Sequence, residues 1–240
     1  GDPELGRAFE EAAAPYVWAA SAREGFVEAA RAMRRRVEDN ISRSHASREL
    51  KLGRGGLRDV EFTVQLLQLV HGRTDAFLRV RSTLEAIEAL REGGYIARAD
   101  ADRLSSCYRF LRALEHRTQL PRMRRNHLIP DKDRDLRVLG RAMGPERYPD
   151  ADAIRTAIDE VRAAVRALHE DVFYRPIIAA TARLSEDEAS LHAEGARDRL
   201  AAIGYRDPAG ALTHIAALTS GTSRRAAIQR HLLPVFISWL

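Results

Sequence analysis

The chain has 240 residues, of which 45% are apolar and 30% charged, with a net charge of +5. That supports one core of ordinary size, or a core and a satellite, and no stretch approaches the roughly 18 consecutive apolar residues that a membrane span needs. Acids and bases interleave, as in Glu10-Glu11, Glu28, Glu38-Asp39 and Asp159-Glu160, so the charge excess is dispersed and argues against nucleic acid as a partner.

A single cysteine, Cys107, excludes an internal disulfide and suits a reducing compartment, which predicts a soluble cytoplasmic protein. The start, Gly1-Asp2-Pro3-Glu4, lacks the basic and then apolar pattern of a signal peptide and reads as a cut from a longer polypeptide. Segments rich in Ala, Leu, Glu and Arg carry apolar residues at intervals of three and four from end to end. No alternating β-branched run is long enough for a strand. The fold class this predicts is all-α: a multi-helix bundle domain over 1–184, then a smaller helical linker or regulatory segment over 185–240.

In chain order, helices are predicted near 3–20, 23–42, 57–71, 82–93, 97–119, 132–143, 150–182, 185–203, 208–219 and 222–238. Within the fifth, Leu104, Tyr108, Leu111 and Leu114 form one stripe, and Gly72, Gly93-Gly94 and Gly144 read as stops. The run Arg34-Arg35-Arg36 should fan around its helix as solvated surface. Two stretches break the helical pattern: Ser42 to Gly56, polar and then glycine-rich, and Leu120 to Asp131, with two prolines and the arginines Arg122, Arg124 and Arg125.

The segment from Glu49 to Gly72, ELKLGRGGLRDVEFTVQLLQLVHG, carries the most chemistry. Lys51 and Arg54 sit among Gly53, Gly55 and Gly56, residues that let a backbone approach a ligand closely, and the amides of the next helix start there. That makes an anion cradle. Lys51 is one of only two lysines among 39 basic residues, which marks a place for a compact ammonium. At 100° per residue, Arg58, Glu61, Gln65 and Gln68 share a narrow arc on an otherwise apolar helix, facing either solvent through a gap or a cleft shared with another domain.

The eight histidines show no spacing with Cys or carboxylates that suits zinc, and His116 and His169 read as structural. No nucleophile lies on a G-x-S-x-G turn. Asp100-Ala101-Asp102 and Asp150-Ala151-Asp152 stand at helix starts and read as caps. No metal site made by this chain alone is therefore expected, and no Ser-His-Asp triad is supported.

Lys51-Leu52-Gly53-Arg54-Gly55-Gly56-Leu57-Arg58-Asp59-Val60-Glu61-Phe62 resembles the K-L-G-x-G-G-I-R-[DE]-[IV]-E-F signature of the bifunctional glutamine synthetase adenylyltransferase/adenylyl-removing enzymes. Weaker similarity runs through Tyr108 to Glu115 and Arg224 to Pro234, and the arginine-rich composition is similar to the actinobacterial versions. The resemblance implies a two-headed enzyme in which each half pairs a nucleotidyltransferase core with a helical domain. One half transfers AMP from ATP to a tyrosine of glutamine synthetase, and the other removes it by phosphorolysis to give ADP, with Mg2+ at the core and signal protein PII setting the balance. The motif's form is similar to the adenylyl-removing half, which would make the residues after 185 the linker between halves.

The Gly-Ser turn and Asp-x-Asp pair that the resemblance implies are missing, so no catalytic residue is expected in this chain, which would supply only the helical wall of a site. Lys51, Arg54, Gly55 and Gly56 would contact phosphate, and Arg58 and Glu61 would orient it. ATP or ADP and Mg2+ would belong to the full-length enzyme and not to this fragment. The implied partners are glutamine synthetase, PII and the upstream and downstream nucleotidyltransferase domains, with no nucleic acid and no membrane. The alternative is a non-catalytic module that docks glutamine synthetase or PII.

Overall fold

The computed structural model describes residues 2–122, 126–174 and 207–219. They form eight α-helices: α1 (Pro3–Trp18), α2 (Phe26–Asp39), α3 (Leu57–His71), α4 (Thr83–Glu92), α5 (Arg98–Gln119), α6 (Asp133–Met143), α7 (Ala151–Phe173) and α8 (Pro208–Thr219). Among the described residues there is no strand, only an isolated antiparallel bridge between Glu49 and Leu128, so the all-α expectation holds. The predicted helices at 185–203 and 222–238, and the boundary expected near 185, lie outside the described residues. No described helix is long and apolar enough to cross a membrane.

The chain divides into two compact units. One contains 1–30, 65–98 and the region of α8; the other contains 31–64 and 99–174.

In the second unit, α6 and α7 pack closely because Gly140 lacks a side chain: a methyl group there would stand 3.1 Å from the Tyr148 carbonyl and 3.4 Å from Ile154. Leu136, Leu139 and Gly140 make the buried face of α6, and Ile154, Ile158, Val165 and Val172 that of α7, both at helical spacing. Asp150 caps α7 by accepting from the Ala153 amide at 2.8 Å, as expected of an acid at a helix start. The α5 stripe is buried at Leu104, Leu111 and Leu114.

In the first unit, Leu66, Leu67 and Val70 of α3, Leu78, and Ala86, Ile87 and Leu90 of α4 supply the core. Gln68 is buried, and its amide nitrogen donates to the Leu78 and Val80 carbonyls at 2.7 and 2.9 Å. It fastens the turn after α3 to its own helix. The arc imagined from Arg58 to Gln68 thus ends in a structural contact, while Gln65 faces water.

Candidate functional site

The two irregular segments that interrupt the helical pattern meet each other. Leu50 N–H donates to His127 O at 2.8 Å, Ile129 N–H to Arg48 O at 2.9 Å, and Arg48 Nε to Ile129 O at 2.8 Å. Glu49 then folds its carboxylate under the chain and accepts from the amides of Lys51 and Leu52 at 3.0 and 3.2 Å. This fixes where the glycine-rich loop begins.

The end of the loop is fixed from below. Asp59, in the first turn of α3, is fully buried and accepts from the Gly55 amide at 2.6 Å and from Arg34 Nε at 2.7 Å. Arg34 is itself fully buried and donates its Nη2 to the Leu52 carbonyl at 3.1 Å. One ion pair therefore holds both halves of the loop. The expectation that Arg34 shares the solvated role of Arg35 and Arg36 is corrected: those two are exposed, but Arg34 points at a carboxylate that would otherwise be buried with its charge unpaired. No feature of the arginine run singles it out, since its partner lies 25 positions away on another helix.

A third hold comes from α7. The Arg162 guanidinium takes the Arg54 carbonyl at 3.0 Å, the Ala46 carbonyl at 3.4 Å and the Ser47 carbonyl. Burial pushes its pKa below the ordinary arginine value. Gly55 has φ of 70°, and a methyl group on it would run into the Arg162 backbone carbonyl. The glycines thus do permit a close approach, but what approaches is helix α7. A bound anion finds few free amides here: besides Gly55, Gly56 N–H donates to Gly53 O, and the first helical amides, Leu57 and Arg58, donate to Leu50 O and Lys51 O at 3.1 and 3.0 Å. The backbone cradle expected at Gly55 and Gly56 is accordingly occupied by the protein's own acceptors.

What the loop leaves on offer is side-chain charge. Lys51 is half-buried, and its ammonium has no partner among the described residues. The hydrogen bond from the Arg58 amide to the Lys51 carbonyl sets the two cations' backbones side by side. Arg58 is held by Glu61 at 2.9 Å, and Glu61 in turn accepts from the Tyr108 hydroxyl at 3.4 Å. Arg54 turns away from this pair to Glu38 of α2 at 3.1 Å. Of the predicted residues, Arg58 and Glu61 are joined through their side chains, Lys51 meets Arg58 through the backbone alone, and Arg54 pairs instead with Glu38. The Arg122, Arg124 and Arg125 side chains lie outside what is described.

Beneath the loop, His169 of α7 is buried. Thr63 Oγ1 donates to the Asp59 carbonyl at 2.7 Å, so it must accept from His169 Nδ1 at 2.8 Å, which places the imidazole proton on Nδ1. Nε2 then faces Asp59 Oδ1 at 3.6 Å without a hydrogen bond. Burial, which outweighs the attraction of Asp59, lowers the pKa and keeps the ring neutral. His169 is structural, as expected, but half satisfied.

Residues 31–173, more than half of the chain, match the family model described as GlnD PII-uridylyltransferase, and the chain belongs to that family. Its relatives narrow this further. It is 54% identical, over its whole length, to the bifunctional glutamine synthetase adenylyltransferase/adenylyl-removing enzymes of Streptomyces coelicolor and Streptomyces avermitilis, covering 24% of each. The corresponding enzyme of Leifsonia xyli is also 54% identical, again with 24% of it covered. The chain spans about a quarter of the length of the curated relatives it matches.

Proposed function

We propose that this chain is the helical part of a nucleotidyltransferase that adenylylates glutamine synthetase and removes the AMP by phosphorolysis, and that it forms one wall of the adenylyl-removing site. The observation that carries this reading is Lys51: an ammonium with no partner among the described residues, on a loop fixed at both ends and alongside Arg58. A cation without a counter-charge, carried on a fixed backbone, is available to an anion.

In this reading Lys51 and Arg58 contact phosphate oxygens of ADP, ATP or attacking phosphate, and neutralise the charge that grows as the phosphoryl group moves. Glu61 orients Arg58. Arg54, paired with Glu38, exchanges that partner for phosphate when the nucleotide arrives. Gly55 and Gly56 act through the loop's shape, since their amides are engaged. The catalytic carboxylates and Mg2+ come from a core domain elsewhere in the polypeptide, with glutamine synthetase as protein substrate and PII as regulator in the cytoplasm.

The test is Lys51→Ala and Arg58→Ala in the full-length protein, with phosphorolysis of adenylylated glutamine synthetase as the readout. Losing one such cation should lower the rate about 100-fold or more. Unchanged rates in a folded variant, checked by circular dichroism, would sink the reading. A collapse in stability would instead make the motif a structural joint.

A further inference from the structure

Helix α1 turns its apolar face away from the described residues of its own unit. Its side toward that unit is held by polar and aromatic contacts: Glu10 pairs with Arg81, and Trp18 lies against Gly72 with the Arg79 guanidinium 5.3 Å from its ring centroid. Arg79 is itself fixed, donating to the Gly72 and Arg73 carbonyls at 2.7 and 3.0 Å. At 100° per residue, Leu5, Phe9, Ala12 and Tyr16 fall within an arc of about 60°, roughly opposite Trp18. Leu5, Phe9 and Tyr16 are 69%, 72% and 76% exposed, and no residue of α1 is buried. Asp2 caps the helix through the Glu4 amide at 2.9 Å, so this is a finished helix and not a frayed end. Scattered exposed apolar residues need no explanation, but three large ones aligned over about three turns make a face built for contact.

We infer that α1 is a docking helix, and that its occupant is an apolar groove on the part of the longer polypeptide that flanks this chain. Two observations favour an occupant in cis. The full-length relatives match this chain throughout, α1 included, and roughly three quarters of their length lies beyond it, while the family-model match begins only at residue 31. Helix α1 thus lies inside the region shared with the long relatives and ahead of the region that the family model matches. In addition, a tethered partner acts at an effective concentration near millimolar, so three anchors suffice to keep such a face closed.

The groove would receive Leu5, Phe9 and Tyr16 over about 16 Å, the length of eleven helical residues. It would also present a polar atom to the Tyr16 hydroxyl, because a buried phenol finds a partner.

The test uses the full-length protein with Phe9→Cys or Glu4→Cys, Cys107 being buried and slow to react. Maleimide should label Phe9→Cys at least tenfold more slowly than Glu4→Cys, with the difference abolished in denaturant and unchanged on 100-fold dilution. Equal rates at the two positions overturn the proposal. Protection lost on dilution also overturns it, assigning the face to a second copy or a separate partner. As a second variant, Phe9→Asp with Tyr16→Asp should raise protease sensitivity of the full-length protein while leaving its oligomeric state alone. A shift from dimer to monomer in that variant would refute docking in cis.

Discussion

Helices α1 and α3 are almost the same length, 16 and 15 residues, and both carry apolar stripes at helical spacing, yet they have opposite fates. Leu57, Val60, Val64, Leu66, Leu67 and Val70 of α3 are all buried, whereas α1 buries nothing. The start of α3 is anchored by a loop, an ion pair and a second helix. The start of α1 has only its own Asp2 cap. Periodicity announces a face; it does not say whether the partner for that face lies in the same chain. Where charge is paired beneath a helix, the contact is internal and costly to undo. Where charge is paired on the inner side and the apolar stripe points out, the contact lies elsewhere.

The sharpest way to break this contrast is Arg34→Ala, which strands the Asp59 carboxylate in the interior. A loss of about 3–5 kcal/mol is expected by chemical denaturation, and a loss below about 1 kcal/mol would show that the loop is not held from beneath. Gly55→Ala comes next, at about 1–3 kcal/mol, because the residue has φ of 70° and abuts the Arg162 carbonyl. The measurement is the same, and a neutral effect would mean that α7 yields.

A pH scan probes the same region with a smaller effect. His169 has a folded pKa below the ordinary value of 6.5, so the unfolded chain takes up the proton first as the solution is acidified. Its contribution is complete above pH 6.5 and declines as pH falls from there toward the folded value, by at most about 1.4 kcal/mol per pH unit. His169→Gln should flatten that part of the stability profile, and an unaltered slope would assign it to other groups. Smallest of all, Phe9→Ala in the 240-residue chain should change stability by under about 0.5 kcal/mol, since the ring is 72% exposed. A larger loss would mean that α1 is packed after all, erasing the difference from α3.

Much of the fold was legible because helix periodicity and stop signals are local. The helices at 57–71 and 208–219 match residue for residue, and the predicted start near 23 moves to Phe26 because Gly25, with φ of 70°, precedes it. The Lys51 to Glu61 motif stands out in the sequence by its density of glycine and charge. Its internal bonding was not legible. Arg34 is identical in type to its neighbours, Arg162 is one arginine in a helix of ordinary composition, and Glu49 looks like any surface acid. What distinguishes them is a partner 25, 108 or 2 positions away, and of these only the shortest leaves a local trace. The glycines suggested close approach to a ligand, and their pattern is silent on the helix backbone that lies against Gly55.

The bridge between Glu49 and Leu128 has a consequence for the order of folding. Every clamp on the loop from its far side is remote in sequence: Arg48 closes onto Ile129, 81 positions on, and Arg162 onto Arg54, 108 positions back. Such contacts carry a large loop-closure cost and form slowly. As the chain leaves the ribosome, the basic loop is synthesised early and stays without its far-side supports until α7 has emerged. Its geometry is therefore a late product of folding, reached only after most of the second unit exists.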